Sequence, residues 1–227
     1  MMRAASPLLA CALLCLGAAC VPSVRPLRGV PTSAALPATA LSAKPQQLRF
    51  TWSYKDETFD ANGDGVVRVM APDRARLDFF LRNGMAGGYA ILVGDSLTVP
   101  GIDLVRRFLP PVPLLWATLG RLTVPGTRDT VARIDGDTLW ADLGARRGEA
   151  AAQPARDVWR VAFALREVAR VDRIEDGKVI EWVTRQRGAT GQWELRYVHE
   201  RANRSLRITV NDTLTVEGFD DAIWRRP

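Results

Sequence analysis

The sequence predicts a mainly β fold of the α+β class, built on one large, curved antiparallel sheet, and three observations predict it. From residue 47 onward most of the chain alternates apolar and polar residues with period two, the mark of strands with one buried and one wet face. Short turns bearing Gly, Asn or Asp join these segments, as antiparallel hairpins require. Helical spacing of apolar residues is confined to residues 104–109 and 113–122, in the middle of the chain.

Residues 1–19 read as a secretory signal peptide. Arg3 gives a basic start, residues 8–16 form an apolar run too short to cross a bilayer, and Gly17, Ala18 and Ala19 lead into a cut. Cys20 follows at once, and a cysteine after small residues resembles a bacterial lipoprotein signal, in which that cysteine becomes a lipidated N-terminus. Gly17 stands where such signals prefer leucine, and ordinary secretion is the alternative reading. Cys11, Cys15 and Cys20 are the only cysteines. Nothing downstream of Cys20 can therefore form a disulfide or act as a thiol. Residues 21–45, rich in Pro, Ala and Ser, hold too few large apolar side chains to fold and read as a flexible tether. The predicted division is a signal at 1–19, a lipidated cysteine and tether at 20–46, and one domain at 47–227.

Within the domain, Leu48, Phe50, Trp52 and Tyr54 alternate with Arg49, Thr51 and Ser53. Asp60-Ala61-Asn62-Gly63-Asp64-Gly65 reads as a turn, after which Val67 and Val69 resume the alternation. Pro72-Asp73 interrupts it before Ala75, Leu77, Phe79 and Leu81. A turn at 84–88 leads to strands at 89–93 and 97–99 across the Gly94-Asp95 hairpin signal. Two short helices follow; Pro113 suits a first helical turn and Gly120 lies near an end. Strands at 130–134 and 138–143 flank Asp135-Gly136-Asp137, and a polar loop fills 144–155. Helix and strand both fit 158–171, and the alternation of Trp159, Val161, Phe163 and Leu165 favours strand. Segments 170–174, 178–185, 193–200, 204–210 and 213–219 complete ten or eleven strands.

The net charge is +6, and Arg far outnumbers Lys. The arginines alternate with apolar residues, which places them on a wet sheet face rather than in a nucleic-acid site. Attraction to anionic lipid surfaces is a fitting use of such charge. The run from Asp60 to Gly65 resembles half of a calcium loop, but the twelfth position is Ala71 where a bidentate Glu is needed. The lone His199 continues the phase of Trp193, Leu195 and Tyr197, and Ser96 lacks a G-x-S-x-G elbow. Asp220-Asp221 and Glu175-Asp176 sit in turns. No phosphate-binding glycine loop or metal-ligand cluster is visible, so the expectation is a non-enzyme with no catalytic residue, metal or cofactor.

The apolar side chains remain. Phe50, Trp52, Phe79, Leu81, Tyr89, Ile91, Trp140, Ile180, Trp182, Leu195, Tyr197 and Ile208 lie on the strand faces expected to turn inward. Most of them make a core. A curved sheet of this size also encloses more volume than its own side chains readily fill. Leu114, Leu115, Trp116 and Leu119 are placed to cover the open face as a mobile helical lid. The expected cavity residues are Phe50, Trp52, Phe79, Leu81, Ile91, Trp116, Leu119, Trp140, Trp182, Leu195, Tyr197 and Ile208.

The stretch Arg68-Val69-Met70-Ala71-Pro72-Asp73-Arg74-Ala75-Arg76-Leu77-Asp78, the run PLLWATLGRLTVP beginning at Pro113, and the closing segments Glu194-Leu195-Arg196-Tyr197 and Arg204-Ser205-Leu206-Arg207-Ile208 resemble the LolA/LolB group of lipoprotein carriers and receptors over residues 48–218. The resemblance implies an open half-barrel closed by short inserted helices, with a cavity for the acyl chains of lipoproteins or lipids. It also implies a periplasmic carrier protein as partner. A lipid anchor on Cys20 fits the receptor member, and Val21, not the Asp that retains lipoproteins at the inner membrane, points to the periplasmic face of the outer membrane. The group's Trp-Leu-x-Gly segment and its leucine-bearing insertion loop have no clear counterpart here. The alternative function is a structural or assembly lipoprotein with a filled core that acts through surface contacts.

Overall fold

A computed structural model of the chain describes residues 24–82, 87–100, 104–124, 130–144 and 157–225. The signal at 1–19, Cys20, most of the turn at 84–88 and nearly all of the loop at 144–155 lie outside these residues. In chain order the strands are β1 (Val30–Thr32), β2 (Gln46–Lys55), β3 (Asp60–Met70), β4 (Arg74–Leu81), β5 (Gly88–Val93), β6 (Ser96–Thr98), β7 (Thr130–Asp135), β8 (Thr138–Leu143), β9 (Asp157–Ala164), β10 (Glu167–Glu175), β11 (Lys178–Arg187), β12 (Trp193–His199) and β13 (Arg204–Thr215). The helices are α1 (Leu104–Phe108), α2 (Val112–Thr118) and a 3-10 helix at Asp221–Trp224.

All of these strands join one antiparallel sheet in the order β1-β7-β8-β9-β10-β11-β12-β13-β2-β3-β4-β5-β6. Its two edges, β1 and β6, do not pair with each other, so the fold is an open half-barrel closed by short helices, as the sequence predicts. One face of the sheet carries the core: Phe50, Trp52 and Tyr54 of β2, Ala75, Leu77 and Phe79 of β4, and Val161 and Phe163 of β9 are buried together. The opposite face carries arginines that are paired locally: Arg68 and Arg76 with Asp78, Arg160 with Asp142, and Arg170 with Asp172.

The expected strands at 204–210 and 213–219 are one strand, β13, which ends at Thr215, and three further segments differ from the sequence reading. The run from Asp60 to Gly65 is no turn but the first half of β3. Asp60, Asn62 and Asp64 point to solvent from alternate positions, roughly 7 Å apart on a strand, so they do not converge on an ion. Gly63 and Gly65 face inward opposite Trp52 and Phe50. A Cβ on Gly65 would stand 2.2 Å from the Phe50 ring; the glycines make room for the aromatic rings across the strand pair.

Residues 158–171 form two strands rather than one. Leu165 and Arg166 make a two-residue turn between β9 and β10 with positive φ at both (50° and 67°), the backbone of a type I′ hairpin, which Asn-Gly normally signals.

The expected tether is not free over its described length. The Val24 amide donates to the Gly177 carbonyl, Arg160 donates to the Arg25 carbonyl, and β1 pairs with β7. Leu41 is buried in the core. A few well-placed apolar residues and a backbone edge to pair with are enough to seat a segment whose composition is otherwise that of a linker.

Candidate functional site

The inner face of the sheet has a filled end and a hollow end. At the filled end Trp52, Tyr54, Phe59 and Phe79 surround Phe108 of α1, with ring centroids 4.7–6.3 Å apart. Arg107 of α1 donates to both carboxylate oxygens of Asp56, which also accepts from the Tyr54 hydroxyl and the Thr58 amide. Desolvation opposes ionisation of Asp56, yet Arg107 and these donors hold its carboxyl well below the ordinary carboxylate range. α1 is thereby pinned as a plug.

At the other end the sheet encloses a cavity of about 500 Å³. Leu48 and Phe50 of β2, Val67 and Val69 of β3, Leu77 of β4, Leu195 of β12, and Ile208 and Val210 of β13 form its wall. The C-terminal end of α2, through Thr118, Leu119 and Gly120, and residues 38–42 of the N-terminal segment cover it. Pro113 in the first turn and the absence of any acidic residue there leave α2 to be fixed by packing. Trp116 is 0% exposed and its indole N–H donates to the Gly94 carbonyl at 2.8 Å. The Leu122 amide donates to Thr39 Oγ1, joining the two covers.

The mouth is polar. β11 turns Glu181, Val183, Arg185 and Arg187 inward, and Arg185 and Arg187 reach the cavity rim beside Arg166, Glu167 and Trp193. Their guanidinium carbons lie 3.3 and 3.8 Å from the Trp193 ring centroid, a close pair of cation–π contacts. Burial pulls the Arg185 guanidinium below its ordinary pKa, and Glu167 opposes this. Deeper in the sheet, Glu181 accepts from the Tyr197 hydroxyl at 2.8 Å and from Arg173 at 2.9 Å; burial and the Glu181 charge push the Tyr197 pKa up.

The predicted cavity residues divide three ways. Phe50, Leu119, Leu195 and Ile208 line the cavity. Trp52, Phe79, Leu81, Trp116 and Tyr197 lie on the same face but pack into the filled core. Trp116 is fully buried and tied to the Gly94 carbonyl.

Ile91, Trp140 and Trp182 lie on the outer face, together with Tyr89 and Ile180. Ile91 is opposite Arg76, whose side chain also covers Tyr89 and donates to the Ile223 carbonyl of the 3-10 helix. Trp140 is opposite Arg133, next to the inward-facing Ala141. Trp182 lies under Arg170 and Arg196 and donates to Glu200. These residues were expected inside because they are the more apolar member of each alternation. Arginine stems and the 3-10 helix give the same shelter outside.

Arg185, Arg187 and Trp193 were not found from sequence, because alternation on β11 favours the Trp182 side. No group of three or more His, Cys, Asp or Glu able to hold a metal occurs among the described residues. His199 accepts from the Ala202 amide at the β12–β13 turn, a structural contact.

No protein-family profile and no curated protein sequence matches the chain. Among solved structures, it is similar to a LolA superfamily protein from Nitrosomonas europaea, with 10% identity over 82% of this chain and 92% of that one and a TM-score of 0.46. It is also similar to a domain described as an outer-membrane lipoprotein-sorting protein from Vibrio parahaemolyticus, with 6% identity over 82% and 91% and a TM-score of 0.45. A third is a DUF1329 family protein from Desulfovibrio piger, with 8% identity over 81% and 90% and a TM-score of 0.42.

Proposed function

We propose that this chain is a non-enzymatic protein of the cell envelope that shelters an acyl chain in its half-barrel and works in lipoprotein or lipid sorting. The observation that carries the reading is the cavity of about 500 Å³ with its wall of Leu48, Phe50, Val67, Val69, Leu77 and Ile208. That volume is in the range of ligand sites, ~300–1,000 Å³, and the side chains of the described residues leave it open. Sheltering about ten methylenes is worth on the order of 8 kcal/mol, at ~0.8 kcal/mol each. A bilayer offers a comparable environment, so cargo can pass on through small differences in affinity without nucleotide or covalent chemistry.

Cys20 after Ala18-Ala19 supports a lipid anchor, and Val21 supports the periplasmic face of the outer membrane. The partners would be acyl chains of lipoproteins or lipids and a periplasmic carrier. Leu165 is 89% exposed at the β9–β10 turn, beside Arg166 of the cavity rim, which suits contact with a lipid surface.

Native mass spectrometry of the protein, purified from a lipid-containing host, tests the reading. Acyl lipid that co-purifies and is released on unfolding is the expected result. A clean mass that also fails to take up a fluorescent fatty acid would instead support an assembly lipoprotein, a reading favoured by the packed aromatic end around Phe108.

A further inference from the structure

An acyl chain seated in the cavity leaves its head at the mouth, and the mouth is built for charge of one sign. Among the described residues three arginines line it, Arg166, Arg185 and Arg187, against one carboxylate, Glu167. That carboxylate is 55% exposed and lies 3.3 Å from Arg185, whose own side chain is 15% exposed. Arg187 donates to the Gly191 carbonyl at 2.9 Å and pairs with no carboxylate among the described residues. Strand register supplies the geometry: Arg187 stands opposite Trp193, and Arg185 stands opposite Leu195. The indole therefore sits within 4 Å of both guanidinium carbons and holds the pair together at the rim. Arg185 gives one N–H to Glu167 and Arg187 one to the Gly191 carbonyl, and each guanidinium has further donors to offer a ligand. Pre-oriented guanidinium forks match the paired oxygens of a carboxylate or phosphate.

We propose that Arg185 and Arg187, held on Trp193, form a head-group site that selects acyl chains ending in an anionic carboxylate or phosphate. This rests on the acyl-binding reading of the cavity.

The test compares cis-parinaric acid with cis-parinaryl alcohol, fluorescent probes matched in chain and different in charge, titrated into the purified exported protein. The wild type should bind the acid about tenfold or more tightly than the alcohol, the value of a charge-assisted hydrogen bond. In the double variant Arg185→Gln, Arg187→Gln the preference should fall to about unity while the affinity for the alcohol holds. Should that variant fail to fold, Arg187→Gln alone, at an exposed position, should still lower the preference severalfold. Equal binding of both probes by the wild type, or a preference that survives the substitutions, would overturn the head-group site and leave the cavity reading intact. Binding of neither probe would remove both. Inorganic phosphate serves as the anion without a chain: its binding as tightly as the acid would make this a free-anion site and overturn the lipid assignment, and its failure to bind supports it.

Discussion

Filling the cavity should separate binding from folding. Val69 is buried in the cavity wall between Gln46 and Ala75 of the neighbouring strands. Val69→Trp adds about seven heavy atoms directed at the hollow end, displacing about five methylenes of a guest. At ~0.8 kcal/mol per methylene this removes about 4 kcal/mol of burial, close to a thousandfold in Kd. The fold loses nothing comparable, because the indole occupies space that no side chain among the described residues fills, and filled voids tend to stabilise. Parinaric acid titration should show binding lost, and a urea melt should show a midpoint equal to or above that of the wild type. Unchanged affinity at an unchanged midpoint would refute the reasoning, since the cavity could not then be where the chain binds.

Other outcomes follow from contacts already described. Trp116→Phe removes the indole donor to the part-buried Gly94 carbonyl and leaves a small void beside α2; stability should fall by about 1–3 kcal/mol in urea melts, with the affinity of the folded fraction for parinaric acid unchanged. Asp56→Asn should destabilise most at neutral pH. The folded-state pKa of Asp56 lies below its ordinary value of 3.8, so its stabilising effect is complete above that value and is lost as pH falls further; urea midpoints of wild type and variant should converge below about pH 4. Leu165→Asp, at the exposed tip beside the mouth, should slow uptake of fatty acid from anionic vesicles in stopped-flow fluorescence while equilibrium affinity in solution holds.

The sheet was legible because its strands are half-buried and alternate cleanly, as Phe50-Trp52-Tyr54 and Ala75-Leu77-Phe79 do. The site was legible only in part. Alternation tells that two faces differ, not which is inside, and apolar content chose wrongly where an outer tryptophan, Trp182, is covered by Arg170 and Arg196. The inward arginines of β11 therefore looked solvated. The aspartates of β3 suggested a turn because the reason for Gly63 and Gly65 is on the neighbouring strand, in the bulk of Trp52 and Phe50. Leu165-Arg166 bears no turn signal of its own, and tertiary pairing of β9 with β10 imposes its backbone. Residues 30–42 have the composition of a linker, and their place depends on the free edge of β7 and on the cavity rim.

The hydrogen bond from Val24 to Gly177 would set the protein's orientation if Cys20 carries the proposed lipid anchor. Only three residues separate Cys20 from Val24 in sequence, so the four steps of chain reach at most ~14 Å. Gly177 follows the C-terminal end of β10, while Arg166 and Glu167 of the cavity mouth lie at its other end. The nine residues of β10 separate the two by ~30 Å. A chain moored by Cys20 would thus keep its closed end near its own bilayer and turn its opening outward, toward cargo arriving across the periplasm.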